Sequence, residues 1–248
     1  MKSALILAGG GRYADPWHDH HANALAVADL LAARDWTAQV RLDVDEALAS
    51  ISRSCATGPS QTGTPTVPDQ LDAPPKPSDD FDLLVVCLGE AAAGTGPAPS
   101  AAADLGLRAW LGQGKPVLGL HAAASAFADC PEWERRLGAK WIPDQSYHPP
   151  LGPGRVLIDQ DSPLAAGLDD FAIADEFYTG LSLADWVKPL AYHHRDGARQ
   201  PLAWVSQTGA SPLAYCALGH DLPSYRAPGH IALLGRLVEW LERAGDAA

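Results

Sequence analysis

The stretch Phe81-Asp82-Leu83-Leu84-Val85-Val86-Cys87-Leu88-Gly89 constrains this chain most. It is apolar almost throughout and does not alternate. A strand with one wet face alternates, whereas a strand covered on both faces reads as a continuous apolar run. The second pattern belongs to a central parallel strand between helix layers. Ser3 to Ala8 repeats it and runs into Gly9-Gly10-Gly11. Asn23 to Arg34 then carries Leu25, Val27, Ala28, Leu30 and Leu31 at helical spacing, and Thr37 to Leu42 is the next strand. This βαβ opening predicts an α/β protein with a mainly parallel sheet.

Further strands and helices follow from the same patterns. Ala101 to Leu111 is helical, and Gly112-Gln113-Gly114 ends it with a glycine cap signal. Pro116 to Leu120 is a short buried strand, after which His121 to Phe127 begins a helix. Beyond Pro131 the pattern becomes β-rich, with strands at Arg155–Ile158, Ala172–Tyr178, Val187–His193, Pro201–Val205 and Pro212–Leu218. Gly229 to Ala244 is an amphipathic closing helix with Gly245 as its stop. Cys55 to Asp80 is rich in Pro, Gly, Ser and Thr and poor in large apolar side chains, so it reads as a flexible insertion. Ala91 to Ser100 reads as a small-residue loop. The expectation is one domain over residues 1–248.

Composition narrows the partners. The net charge of −12 comes with no cluster of Lys or Arg, which excludes nucleic acid and anionic membrane surfaces as favoured partners. No stretch approaches the roughly 18 apolar residues of a membrane span. The apolar run at the N-terminus is too short for a secretory signal and ends in glycines. The expected compartment is the cytoplasm. Cys55, Cys87, Cys130 and Cys216 show neither CxxC spacing nor a disulfide framework.

Ligands of open parallel sheets bind beyond the carboxyl ends of the strands, so polar residues just after strands are the candidates. Gly9-Gly10-Gly11 would let backbone amides approach an anion, but the pattern is neither GxGxxG nor a Walker motif. The following His-rich stretch offers His18 as a pocket residue or metal ligand, against a solvated loop with a helix N-cap. Gly119-Leu120-His121-Ala122-Ala123 resembles a nucleophile elbow with histidine at its centre. A helix N-terminus there would favour a neutral imidazole acting as base, electrophile or ligand, against a histidine satisfied by backbone. In Asp175-Glu176-Phe177-Tyr178 the adjacent acids point to opposite faces, and Glu176 shares one with Tyr178. That suits Glu176 to acid–base work, against a strand edge with solvated acids. Leu218-Gly219-His220-Asp221 places His220 at a strand end, and His148 is a weaker version of the same idea. His193-His194 reads as surface or edge, and Cys87 as a buried thiol.

Taken in order, these pieces resemble the ThuA-like (trehalose-utilisation) family. The matching stretches are Leu5-Ile6-Leu7-Ala8-Gly9-Gly10 with His18, Phe81 to Val86, and Gly119-Leu120-His121-Ala122-Ala123. They continue with Pro131-Glu132-Trp133, Leu137-Gly138-Ala139, Asp175 to Tyr178, Ala203-Trp204-Val205 and Leu218-Gly219-His220-Asp221. The resemblance implies a three-layer, flavodoxin-like sandwich of the class I glutamine amidotransferase-like superfamily, with β-rich additions in the second half. It also implies a role in the utilisation of trehalose or related disaccharides and their keto forms. The amidotransferase elbow reads Gly-x-Cys-x-Gly, whereas this elbow holds no thiol and no His-Pro-Glu follows, so thioester chemistry on glutamine is not expected.

The leading expectation is a sugar hydrolase or isomerase. His121, Glu176 and His220 would be its catalytic groups, with Gly10, His18, His148, Asp175, Tyr178 and Asp221 around the substrate. The metal candidates are His18, His121 and His220, and zinc or another divalent ion would suit them. The alternative is a non-catalytic sugar-binding or regulatory protein on the same scaffold. The partners considered are a small sugar and a second copy of the chain.

Overall fold

A computed structural model describes residues 2–56, 81–90 and 99–245. The expected insertion lies outside them except for Cys55 and Ala56, which end a helix, and most of the small-residue loop at 91–98 also lies outside.

The parallel strands are β1 (Lys2–Ala8), β2 (Trp36–Arg41), β3 (Leu83–Cys87), β4 (Val117–Leu120) and, late in the chain, β11 (Leu213–Cys216). They pair side by side in the order β2-β1-β3-β4-β11. Every residue of β3, β4 and β11 is buried, which is what the unbroken apolar run demanded. The sheet continues antiparallel through β10 (Ala198–Ser206), β9 (Ala191–Arg195), β6 (Gly152–Ile158) and β7 (Phe171–Asp175), nine strands in all. The two-residue strands β5 (Ala139–Lys140) and β8 (Ser182–Leu183) pair separately.

Among the described residues six α-helices complete the fold: α1 (His20–Ala32), α2 (Val44–Ala56), α3 (Ala101–Gly112), α4 (Pro131–Leu137), α5 (Leu222–Arg226) and α6 (Pro228–Gly245). Helices α1, α5 and α6 pack together, and α2 packs on α3. Right-handed crossovers put these groups on opposite faces of the sheet, which gives three layers. No helix among the described residues is long and apolar enough to cross a membrane.

Several expectations are corrected. Helix α1 starts at His20 rather than Asn23, because the Asp19 side chain accepts the Ala22 N–H at 2.9 Å and caps it. Helix α2 was not anticipated, although Val44, Ala47, Leu48 and Ile51 form a buried stripe at helical spacing. Helix α4 was missed as well. It opens on Pro131 and closes on Gly138 in the left-handed conformation, φ 74°. His121 opens only a 3-10 turn, His121–Ser125, not a longer helix.

The order of strands sets the place of the site. The chain winds from β1 outward to β2 and then back across to β3, so the crevice opens where the winding reverses. Strands β1, β3, β4 and β11 end at that edge. The alternating directions of β10, β9, β6 and β7 bring the carboxyl end of β7 to the same edge. Strand β6 joins β9 through only two residue pairs, Leu157↔Tyr192 and Ile158↔Ala191. Strand β7 contacts α5 and α6, so the β6–β7 ribbon folds back over the helices toward the end of β11.

Candidate functional site

His18, His121, Glu176 and His220 meet at this edge. One ligating atom from each lies within 4.8 Å of all the others. The His18 ring centroid is 5.0 Å from that of His121 and 4.8 Å from that of His220.

Each histidine is set by a different local device. His121 sits at φ 43°, a left-handed conformation that is uncommon for a residue with a side chain, in the sharp turn directly after β4. Its Nδ1 is 2.8 Å from the Ala217 carbonyl. A carbonyl only accepts, so Nδ1 carries the proton and Nε2 presents its lone pair. His18 lies in the loop after β1, where Asp15 receives its Nδ1 at 2.8 Å and His20 Nε2 at 3.0 Å. Burial alone would raise the Asp15 carboxyl, but the hydrogen bonds from His18 and His20 outweigh it and hold Asp15 well below the usual carboxylate range. Burial pushes the His18 imidazole down despite Asp15, so it is predominantly neutral with its Nε2 lone pair free. His220 follows Gly219, whose φ of 112° and close approach to the Tyr225 hydroxyl exclude a side chain.

The two Nε2 atoms of His18 and His121 face each other at 3.1 Å. The Tyr178 hydroxyl donates to His121 Nε2 at 3.2 Å. Burial and the nearby carboxylates raise the Tyr178 phenol, so it stays protonated and donates. Glu176 Oε2 lies 3.1 Å from His220 Nδ1 and 3.6 Å from His121 Nε2, and Oε1 lies 3.5 Å from His148 Nδ1. Burial opposes the charge on Glu176, yet the imidazoles of His121 and His220 hold its carboxyl well below the usual range. The Glu176 carboxylate beside it raises His220 in return. The His220–Glu176 contact is close but off the hydrogen-bond direction. His220 Nδ1 is thus one of four buried polar side-chain atoms, among the described residues, with no hydrogen-bond partner.

The other sequence candidates are placed differently. Asp175 turns away from the pocket, but β7 ends at Asp175, so the strand alternation expected through Tyr178 is not what parts it from Glu176. The Asp175 carboxylate accepts the N–H groups of Gly219 and His220 at 2.9 and 3.2 Å and the Ser224 hydroxyl at 2.5 Å. It therefore holds the loop that presents His220 and, being 1% exposed, does not line the cavity. Asp221 caps α5 through Ser224, and Gly10 packs on the Leu42 backbone, so neither lines the cavity. His193 is buried rather than at the surface, with Nε2 3.0 Å from the Tyr178 carbonyl, while His194 is exposed. Asp15 and His20 belong to the His-rich stretch that the sequence singles out, though not by role, whereas nothing in the sequence marks His193 and Trp141 as parts of the site.

A cavity of about 460 Å³ opens beside the cluster, with Asp15, His18, His148, Glu176 and Tyr178 on one side. That size suits a ligand with the bulk of one or two sugar rings.

Residues 76–241, about two thirds of the chain, match the model of the ThuA family, described as trehalose utilisation. The match begins after β1 and the loop that carries His18. Two similar solved structures are ThuA-like proteins of Bacteroidales species. That from Parabacteroides merdae is 16% identical with a TM-score of 0.69, covering 97% of this chain and 89% of its own. That from Bacteroides uniformis is 14% identical with a TM-score of 0.67, covering 97% and 91%. A third, the carbohydrate deacetylase Agd3, is 12% identical with a TM-score of 0.56, covering 98% of this chain and 32% of its own. No curated protein matches by sequence. At these identities the structural likeness speaks for the fold.

Proposed function

This chain belongs to the ThuA family, and we propose that it is a sugar-utilisation enzyme acting on a disaccharide such as trehalose or on a keto-sugar. A divalent metal ion would be held by His18, His121, Glu176 and His220. One observation carries this reading. The Nε2 atoms of His18 and His121 stand 3.1 Å apart while the Nδ1 proton of each is committed elsewhere. The Tyr178 hydroxyl offers one proton to the His121 lone pair, but the His18 lone pair beside it has no donor among the described residues, and a positive charge between the two would satisfy both. The unpartnered His220 Nδ1 and the Glu176 carboxylate converge on the same point. Imidazoles whose other nitrogen donates to a carboxylate or carbonyl are the usual outer support of a metal centre. Three imidazoles and one carboxylate suit zinc or a neighbouring first-row ion.

When bound, such an ion supplies Lewis-acid chemistry toward a sugar carbonyl or hydroxyl. The chain's own groups do the rest. Asp15 fixes the His18 ring, and Ala217 fixes the His121 ring. Tyr178, held protonated, donates a hydrogen bond to a substrate oxygen once His121 Nε2 is otherwise engaged. His148, part-exposed at the mouth and bonded to the Pro149 carbonyl at 2.9 Å, stands where a proton can pass between Glu176 and solvent. Thioester chemistry has no nucleophile here. The elbow residue is His121, burial pushes the Cys87 and Cys216 thiols up to about 12, and it also raises the thiol of Cys130, which lines the cavity. Buried free thiols at Cys87, Cys130 and Cys216 accord with the cytoplasm.

Elemental analysis of protein purified without chelator tests the reading. The expected result is about one divalent ion per chain, lost in His121→Ala together with turnover of keto-disaccharides. Wild-type protein that stays free of metal after loading would sink it.

A further inference from the structure

The cavity beside the cluster has two unlike sides. The side nearest the histidines carries Asp15, His148, Glu176 and Tyr178. Most of the rest of the lining is apolar, built from Ala122, Ala124, Ala126, Phe127, Trp133 and Pro143, with the buried Glu90 among them and its Oε1 held by Arg12 at 2.8 Å. Two further polar groups of this wall are engaged inside the protein. The Trp133 indole N–H donates to the Ala123 carbonyl at 3.0 Å, and the Ser125 hydroxyl donates to the Ala122 carbonyl at 2.9 Å. At the rim, Lys140 and Glu134 satisfy each other at 2.8 Å. Trp141 joins the two sides, with its ring 4.8 Å from Tyr178 and 6.0 Å from His148.

A second sugar ring laid on that wall would bury several hydroxyls with no partner, and each such hydroxyl lowers affinity. An aromatic or alkyl group would lose nothing and would gain apolar burial and ring stacking. We infer that the substrate is amphipathic: a sugar or keto-sugar ring at the histidines joined to an apolar aglycone on the alanine and aromatic wall. This rests on the sugar reading above and narrows it, because a disaccharide with two hydrophilic rings fits the wall worst. The aglycone side selects the substrate, and the histidine side does the chemistry.

Titrating the full-length, metal-loaded protein with phenyl and methyl glucosides of both anomers, and with trehalose, tests this through tryptophan fluorescence. At least one phenyl glucoside is expected to bind roughly tenfold or more tighter than its methyl counterpart and than trehalose. Ala128 lines the same wall and is half-buried, so Ala128→Asp places a carboxylate there with little threat to the fold. It is expected to shrink the phenyl advantage to about threefold or less and leave methyl glucoside binding unchanged. Equal binding of phenyl and methyl glucosides, or tighter binding of trehalose, overturns the amphipathic substrate and leaves the sugar reading standing. Absence of binding for every glycoside overturns both.

Discussion

The two sides of the His18, His121, Glu176 and His220 cluster are built in opposite ways. His18 stands on the loop between β1 and α1 and His121 directly after β4, and both strands belong to the buried parallel core and pair with β3. Each ring is locked by a neighbour, Asp15 or the Ala217 carbonyl. Glu176 comes from the opposite end of the nine-strand sheet, on a ribbon held to β9 by two residue pairs. Its position depends on Asp175, which ties the end of β7 to the loop after β11. The comparison teaches that the imidazoles are pre-set by the rigid half of the fold. The carboxylate is delivered by a long detour, tied before Glu176 by Asp175 and after it by the Tyr178 carbonyl on His193 and the Tyr147–Thr179 bridge.

The comparison can be broken from either side. Removing His121 with Ala is expected to cost more than about a hundredfold in metal affinity, more than loss of an outer partner costs, with the thermal transition otherwise intact. Asp175→Ala attacks the tether. It strands two backbone N–H groups and the Ser224 hydroxyl in a buried site, so unfolding in urea should show a loss of about 3 kcal/mol. If that loss is under about 1 kcal/mol, the ribbon is held by something other than Asp175. Asp15→Asn leaves the fold unchanged and should weaken metal binding by about 10- to 100-fold through His18 alone. A fold disrupted by Asp15→Asn would show that the histidine side is not independently rigid.

The pH dependence sharpens the same picture. Asp15 and Glu176 are depressed below their ordinary values of 3.8 and 4.5, so their contribution is present above those values and lost as pH falls. His220 is raised above its ordinary 6.5, so its contribution is full below 6.5 and fades as pH rises through the raised value. In metal-free protein the stability lost on Glu176→Gln should therefore be greatest between about pH 4.5 and 6.5. Metal binding requires unprotonated imidazoles and should strengthen as pH rises above that window. Thermal melts of wild type and Glu176→Gln across this range, with chelator and with metal, decide it. The smallest effect expected is chemical. With their thiols pushed up to about 12, Cys87 and Cys216 should resist alkylation at pH 8 until the protein is denatured, as read by peptide mass spectrometry.

Much of the parallel half was legible. Strands β1, β3 and β4 are apolar on both faces, and that composition survives in the linear sequence because neither face meets water. His121 was legible too, since a buried strand that turns at once leaves its next side chain at the sheet edge. Helix α2 was legible but overlooked. Asp15 was less visible, because an acid in a polar loop looks the same whether it faces water or orients a histidine. His193 read as surface because Arg195-Asp196-Gly197 follows it, yet β9 turns its side chain under Tyr178.

The sequence by itself determined the α/β class and the sheet edge at which His18, His121 and His220 gather. These follow from periodicity, which local sterics impose on every strand. Only the tertiary structure decided that a carboxylate from β7 meets histidines from β1, β4 and β11, and that Asp175 serves the fold rather than the pocket. Those facts depend on how a nine-strand sheet closes on itself. No local pattern records which distant backbone amides a buried carboxylate will find.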